Sequence, residues 1–233
     1  MLASKVHEKL DCFWKTGTSF TPNKHIGWTL KFKTFSHKQG VELFNTSPRY
    51  QHQWDEVEAA ITNVTDADII EYFESNFSGG QKSLSHAINA LLKKEFVEFG
   101  WHPESYIFGE SEYQTSRWRL DFAKEDVSIE VGFNHGGSVA WNLIKPVLAS
   151  QLNHVQKAIQ TEVGVIITAT RELQIAGGFD NAIGTYEDYV HYLKPLQGVL
   201  NVPMVIVGLL PPESFRIKHS TENRRTTGSI EKF

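Results

Sequence analysis

The second half of this chain alternates between short apolar runs and longer amphipathic stretches, and that alternation constrains the fold more than any other feature. Val127 to Phe133 is β-prone, and after Gly136-Gly137 the residues Val139, Leu143, Val147, Leu148, Leu152, Val155 and Ile159 mark an amphipathic helix, with Pro146 expected to kink it. Val163 to Ala169 is apolar enough for a buried strand. Tyr186 to Leu196 has helical spacing, and Pro203 to Leu210 is another buried strand, entered through its proline. Strands separated by helices become parallel neighbours in one sheet, with the helices covering its faces. The expected class is α/β, a central mixed β-sheet flanked by helices.

The first half is less regular. Trp28 to Phe35 alternates as a strand does, and a polar turn, Ser36 to Gly40, leads to a second run, Val41 to Phe44, so the spacing predicts a hairpin. Gln53 to Ile61 is expected to be a short helix with Trp54, Val57, Ala60 and Ile61 on one face, and Ser78-Gly79-Gly80 a loop. Leu84, Ile88, Leu91, Leu92, Phe96 and Phe99 trace a longer helix that Gly100 stops. No linker or repeat divides the chain. The 233 residues are expected to form a single domain: an N-terminal extension (1–27), a hairpin-and-helix region (28–113), a core (114–210) and a basic C-terminal tail (211–233).

Composition removes several classes. A single cysteine, Cys12, allows neither an internal disulfide nor a cysteine-based zinc site. The apolar runs are too short to span a bilayer, and Met1 to Glu8 contains no apolar signal core, so a soluble, reducing, cytoplasmic setting is expected. No glycine-rich nucleotide loop is present, and His52, His154 and His191 have no metal-ligand spacing. The net charge of −4 does not itself favour nucleic acid, but its distribution is uneven. Lys and Arg minus Asp and Glu give +5 over 1–50, −9 over 51–113, −3 over 114–215 and +3 over 216–233. Basic ends around an acidic middle suit a localised anion-binding surface, although solvated surface charge gives the same asymmetry.

The chemistry-bearing feature is a pair of acids. Asp121 and Glu130 lie nine positions apart, each in a β-prone run, Trp118 to Ala123 and Val127 to Phe133, joined by the polar Lys124-Glu125-Asp126 turn. A hairpin of that length can bring both carboxylates to one end of a sheet. Two buried like charges repel unless a positive group, usually a divalent metal, neutralises them. Ile129, Val131 and Phe133 make the second strand look buried, so Glu130 in particular needs a partner.

With these elements in place the chain resembles the BglII/BstYI family of type II restriction endonucleases, of the PD-(D/E)xK fold. The core Asp121-Phe122, turn, Ile129-Glu130-Val131-Gly132-Phe133 keeps the family's spacing. Phe35 to Phe44, Trp54 to Ile61, Gly100-Trp101, Val139 to Lys145, Val163 to Thr168 and Val202 to Leu209 resemble flanking family elements in the same order. The resemblance implies a restriction-endonuclease-like fold and Mg²⁺-dependent cleavage of double-stranded DNA at a short palindrome. It also implies a homodimer, since a palindrome offers two equivalent half-sites, and a companion DNA methyltransferase in the host.

It further implies roles for individual residues. Asp121 and Glu130 become metal ligands, the backbone carbonyl of Val131 completes the set, and Glu104 is an auxiliary ligand. Mg²⁺ polarises the phosphate and lowers the pKa of water. Asn134 and His135 follow the catalytic strand where relatives approach the major groove, and Asp180, Asn181 and Thr185 occupy the place of another recognition loop. Arg224 and Arg225, in a tail that interleaves bases with hydroxyls, are candidates for phosphate or guanine contacts.

One position departs from the pattern. The general fold places Lys at 132 and this family usually Gln, whereas here it is Gly132. Lys145, from the following helix, is the preferred substitute, with Asn142 and Gln114 as others. Two alternatives stay open: a sequence-specific DNA-binding protein with weak or lost cleavage, and a structure-specific repair or junction nuclease on the same fold.

Overall fold

The computed structural model describes residues 27–76, 80–151 and 157–233. The N-terminal extension, with Cys12, lies outside them apart from Gly27, as does His154. The chain runs β1 (Phe32–His37), α1 (Gly40–Thr46), α2 (Pro48–Thr62), α3 (Asp66–Asn76), α4 (Ser85–Glu98), β2 (His102–Tyr106), β3 (Arg119–Lys124), β4 (Val127–Gly132) and α5 (Val139–Gln151). It continues through β5 (Val163–Ala169), α6 (Arg171–Ala176), α7 (Tyr186–Leu193), β6 (Met204–Leu209), β7 (Phe215–Glu222) and β8 (Arg225–Lys232).

Six strands form one sheet in the order β1-β6-β5-β4-β3-β2. The crossovers through α5 and α7 make β4, β5 and β6 parallel, while β1, β2 and β3 pair antiparallel, so the sheet is mixed as the alternation predicts. Its two faces bury different sets. Val127, Ile129, Val165, Ile167, Val205 and Val207 pack under the helices of the first half. Ile166, Met204 and Ile206 pack with Leu143 of α5 and Tyr189 and Leu193 of α7. Each such fully buried aliphatic side chain contributes about 1.5–3 kcal/mol, so the central strands hold the site rigidly from both sides.

Several expectations need correction. Val41 to Phe44 is not a strand but lies within α1, and β1 pairs with β6 from Phe32↔Leu209 to His37↔Met204. Lys38 and Gln39 take positive φ and turn the chain sharply, and the helix buries Phe44 against Trp54, ring centroids 5.1 Å apart. A four-residue apolar run fits a helix as readily as a strand, and the tertiary contact decides. The helix expected to reach Ile159 is α5, whose described span ends at Gln151. By Lys157 the chain is extended, bridging to Phe108. The helix from Tyr186 stops at Leu193 rather than Leu196. The basic tail is a two-stranded hairpin, β7–β8, turned at Asn223 and Arg224, both of positive φ. Such a turn matches the twist of its strands.

Candidate active site

The site grows out of the way β3 and β4 part. They pair at Lys124↔Val127, Ala123↔Ser128 and Phe122↔Ile129, and the same register sets Asp121 opposite Glu130. There the ladder gives way to a side chain: Asp121 Oδ2 accepts the Val131 N–H at 2.7 Å. This ties the Val131 peptide to both acids.

Glu130 is 1 % exposed. Lys145 Nζ, from α5, donates to Glu130 Oε2 at 2.6 Å, a buried ion pair, while Glu130 Oε1 is buried without a hydrogen-bond partner. Burial, and then the charge of Asp121, push the Glu130 carboxyl up to about 8 against the pull of Lys145. Burial also raises Asp121, opposed by the Val131 N–H and by Lys145. With both acids ionised, one lysine would leave excess negative charge and an orphaned carboxylate oxygen in a low-dielectric site, a costly arrangement for the protein alone, which is why Glu130 is driven to hold its proton. A hard divalent cation with oxygen ligands fits that donor set. Asp121, Glu130 and the Val131 carbonyl are the groups that could hold one.

Glu104 occupies a different position. The β2–β3 register, Pro103↔Phe122 and Ser105↔Leu120, aligns it with Asp121, so Glu104, Asp121 and Glu130 lie in one row across three strands. Glu104 nevertheless has φ 55° and is exposed, and its carboxylate pairs with Arg119 at 2.8 Å and Lys93 at 3.5 Å. Among the described residues no three His, Cys, Asp or Glu side chains gather closely enough to hold a metal. The two-acid pair, not a three-acid cluster, is what the strands assemble.

Gly132, two residues beyond Glu130 on the same face of β4, has no room for a side chain. A Cβ there would overlap the Tyr189 hydroxyl and approach Asn142 Nδ2 to 3.0 Å. Asn142 Nδ2 donates to Tyr189 Oη at 2.7 Å, and burial keeps that hydroxyl's pKa well above the ordinary tyrosine value. Asn142 and Lys145 are neighbours one turn apart on α5. Gln114 bonds instead to the Gly109 carbonyl. Sequence reasoning missed Tyr189; a glycine at the end of the strand that carries Glu130, with an aromatic-rich helix later in the chain, was the available signal.

The surface candidates fall into connected loops. Asn134 O accepts from Gly184 N at 3.0 Å, Gly136 N donates to Ala182 O at 2.6 Å, and His135 bridges to Ile183, so the segment after β4 is zipped to the 180–184 loop. His135 Nδ1 accepts the Gly137 N–H, which leaves Nε2 to carry the ring proton. Asp180 Oδ1 accepts from Ala182 N, and that bond, with Lys82 nearby, holds its carboxyl below the usual range. Asn134, His135, Asp180 and Asn181 are exposed.

Thr185 is not. It is 1 % exposed, and its hydroxyl and N–H both bond to Asp188 in the capping box of α7. Arg224 sits exposed at the tip of the β7–β8 hairpin, and Arg225 Nη2 lies against Gly80. The hairpin docks through Gly228 N to Gln81 O and His219 Nε2 to Lys82 O, which makes Lys82 a further cation beside the 180–184 loop. No described helix is long and apolar enough to cross a membrane.

This geometry has known counterparts. The family model of restriction endonuclease BglII/BglIII matches residues 32–209, from β1 to β6. The crystal structure of restriction endonuclease BglII complexed with a DNA 16-mer superposes with TM-score 0.57 at 19% identity, covering 87% of this chain and 100% of that one. The structure of free BglII gives 0.49 at the same identity and coverage. No curated protein sequence matches the chain. The family match spans well over half of the sequence and includes both acids: the chain belongs to the BglII/BglIII restriction endonuclease family.

Proposed function

We propose that the protein is a type II restriction endonuclease that cleaves double-stranded DNA at a short palindrome with Mg²⁺, acting as a homodimer in the cytoplasm beside a companion methyltransferase. The observation that carries this reading is the under-neutralised carboxylate pair, with Glu130 Oε1 buried and unpartnered beside Asp121, in a chain of this family.

Phosphodiester hydrolysis forms a bond from a water oxygen to phosphorus and breaks the bond to the 3′ oxygen. The proton given up by the water ends on the departing 3′ oxygen. When bound, Mg²⁺ supplies Lewis-acid polarisation of the phosphate and a lowered water pKa. The protein contributes the rest. Asp121, Glu130 and the Val131 carbonyl would hold the cation, and the bond from the Val131 N–H fixes the Asp121 carboxylate. Lys145 locks the Glu130 rotamer through Oε2 and brings a positive charge toward the place where phosphate charge grows. Glu104, paired with Arg119, is an auxiliary acid in line with the other two. Asn134, His135, Asp180 and Asn181 face the bases, while Arg224, Arg225 and Lys82 contact phosphate.

A second reading, sequence-specific binding with weak cleavage, is motivated by the blocked side-chain position at Gly132. Incubating the protein with unmethylated plasmid and Mg²⁺, followed by sequencing of the ends, tests both. Discrete fragments with one shared end sequence are expected. A gel shift in Ca²⁺ without cutting in Mg²⁺ would select the second reading, and cleavage governed by DNA shape rather than sequence would select a junction nuclease.

A further inference from the structure

The Tyr189 hydroxyl and the Asn142 amide are polar groups buried against Gly132 on the face of β4 that carries Glu130, and the cleavage roles proposed for Asp121, Glu130 and Lys145 do not use them. Tyr189 is 2 % exposed, comes from α7, and puts Oη where a side chain on Gly132 would begin. That position lies on the face of β4 that carries Glu130, and both carboxylates are close enough for their charges to act on the hydroxyl. Asn142 donates into Oη, so one oxygen lone pair of Tyr189 is occupied and its own O–H remains to be donated elsewhere. Asn142 shares its face of α5 with Lys145, which already contacts Glu130. A glycine is the only residue at 132 that lets this hydroxyl approach the strand so closely.

We infer that Tyr189, turned by Asn142, is a catalytic hydrogen-bond donor that α7 delivers across Gly132 to the attacking water or to a phosphate oxygen at the Asp121–Glu130 site. The inference rests on the DNA-cleavage reading. It gives Gly132 a purpose: the strand gives up a side chain so that a donor from another element can take its place. A phenol suits the task because it is neutral and cannot displace the cation or pair with the carboxylates as an ammonium would.

Tyr189→Phe removes the donor and keeps the ring. Its kcat on cleavable DNA is expected to fall about 100-fold, the usual effect of losing one aimed donor. KM for DNA, DNA affinity in Ca²⁺ and calorimetric Mn²⁺ affinity should stay as in the parent protein. Gly132→Ala keeps the hydroxyl but pushes it away, and should lower kcat to a similar degree.

A direct readout is the ultraviolet difference spectrum between the parent protein and Tyr189→Phe. Adding DNA in Ca²⁺ should shift the tyrosine band, because the hydroxyl gains an acceptor. A parent-like kcat in Tyr189→Phe, or a difference spectrum unchanged by DNA, overturns the inference. A parent protein that cuts no DNA at all refutes the endonuclease reading instead, so the two failures are distinguishable.

Discussion

The two ends of the β3–β4 hairpin are both rich in acids and are treated in opposite ways. At the turn end every carboxylate has a donor. Arg49 bonds to Asp126 and Glu162, Tyr50 to Glu162, Gln53 to Glu125, and Glu56 takes both Lys124 and the Trp101 indole. At the open end Lys145 bonds Glu130 alone, Asp121 has the neutral Val131 N–H, and one Glu130 carboxylate oxygen has no partner. The first arrangement clamps the hairpin to α2 and holds its register. The second leaves charge to be completed from outside. A protein that matched its acids everywhere would be more stable and would have nowhere to bind a cation, so the contrast separates support from chemistry within ten residues of one hairpin.

Removing an acid at the open end should produce the largest effect. Asp121→Ala or Glu130→Ala takes away a proposed cation ligand and, on that reading, several kcal/mol of transition-state stabilisation, so Mg²⁺-dependent cleavage is expected to fall by about 10³-fold or more. DNA affinity in Ca²⁺, carried mainly by phosphate contacts, should change much less. Plasmid cleavage by either variant at the parent rate would break the comparison at its functional end.

Glu56→Ala tests the other end. It leaves the Trp101 N–H without its acceptor and the part-buried Lys124 ammonium with the Phe99 carbonyl alone, its counter-charge gone, and the expected loss is about 3 kcal/mol of stability in urea denaturation. Asp121→Asn should do the reverse. It removes a like charge from beside Glu130 and keeps an oxygen to accept the Val131 N–H, so stability should rise while cleavage is lost. Destabilisation in both variants would show that the acids at the two ends are not differently employed.

How much of this was legible in the sequence follows from which interactions are local. The strands Val163–Ala169 and Met204–Leu209 announce themselves because both faces are buried, which demands uninterrupted apolar residues. The pairing of Asp121 with Glu130 is legible because a short turn leaves few registers. β2 was missed because it is a polar edge strand containing Pro103, with no apolar period to detect. The β7–β8 hairpin was missed because its apolar alternation is confined to Phe215 and Ile217 at the start of an otherwise exposed strand, and part of its anchorage comes from afar: Asp66 Oδ2 accepts from the Glu213 and Ser214 backbone and the Ser214 hydroxyl. Thr185 looked like a recognition residue because hydroxyls serve loops and helix caps equally well, and only the position of Asp188 distinguishes them. The Tyr189–Asn142 contact joins two helices more than forty residues apart in sequence, a distance that no local pattern encodes.

The smallest expected effect is a pH dependence, and its sign discriminates most sharply between the two ends. Glu130 rises from 4.5 to about 8 on folding. A carboxyl so raised favours the fold fully below its unfolded value and loses that contribution as pH climbs through the folded value, so this group weakens the metal-free protein between pH 4.5 and 8. The cation competes with the same proton. Mg²⁺ affinity should therefore increase about tenfold per pH unit up to the folded value and level off above it, and the Mg²⁺-induced gain in melting temperature should grow over the same interval. Glu130→Gln has no proton to displace and should show neither trend, whereas Glu56→Ala should show both from a lower baseline. Melting curves with and without Mg²⁺ at pH 6, 7, 8 and 9 measure this directly. A Mg²⁺ effect independent of pH in the parent protein would mean that Glu130 is already ionised in the fold and that the open end is less starved of positive charge than its geometry implies.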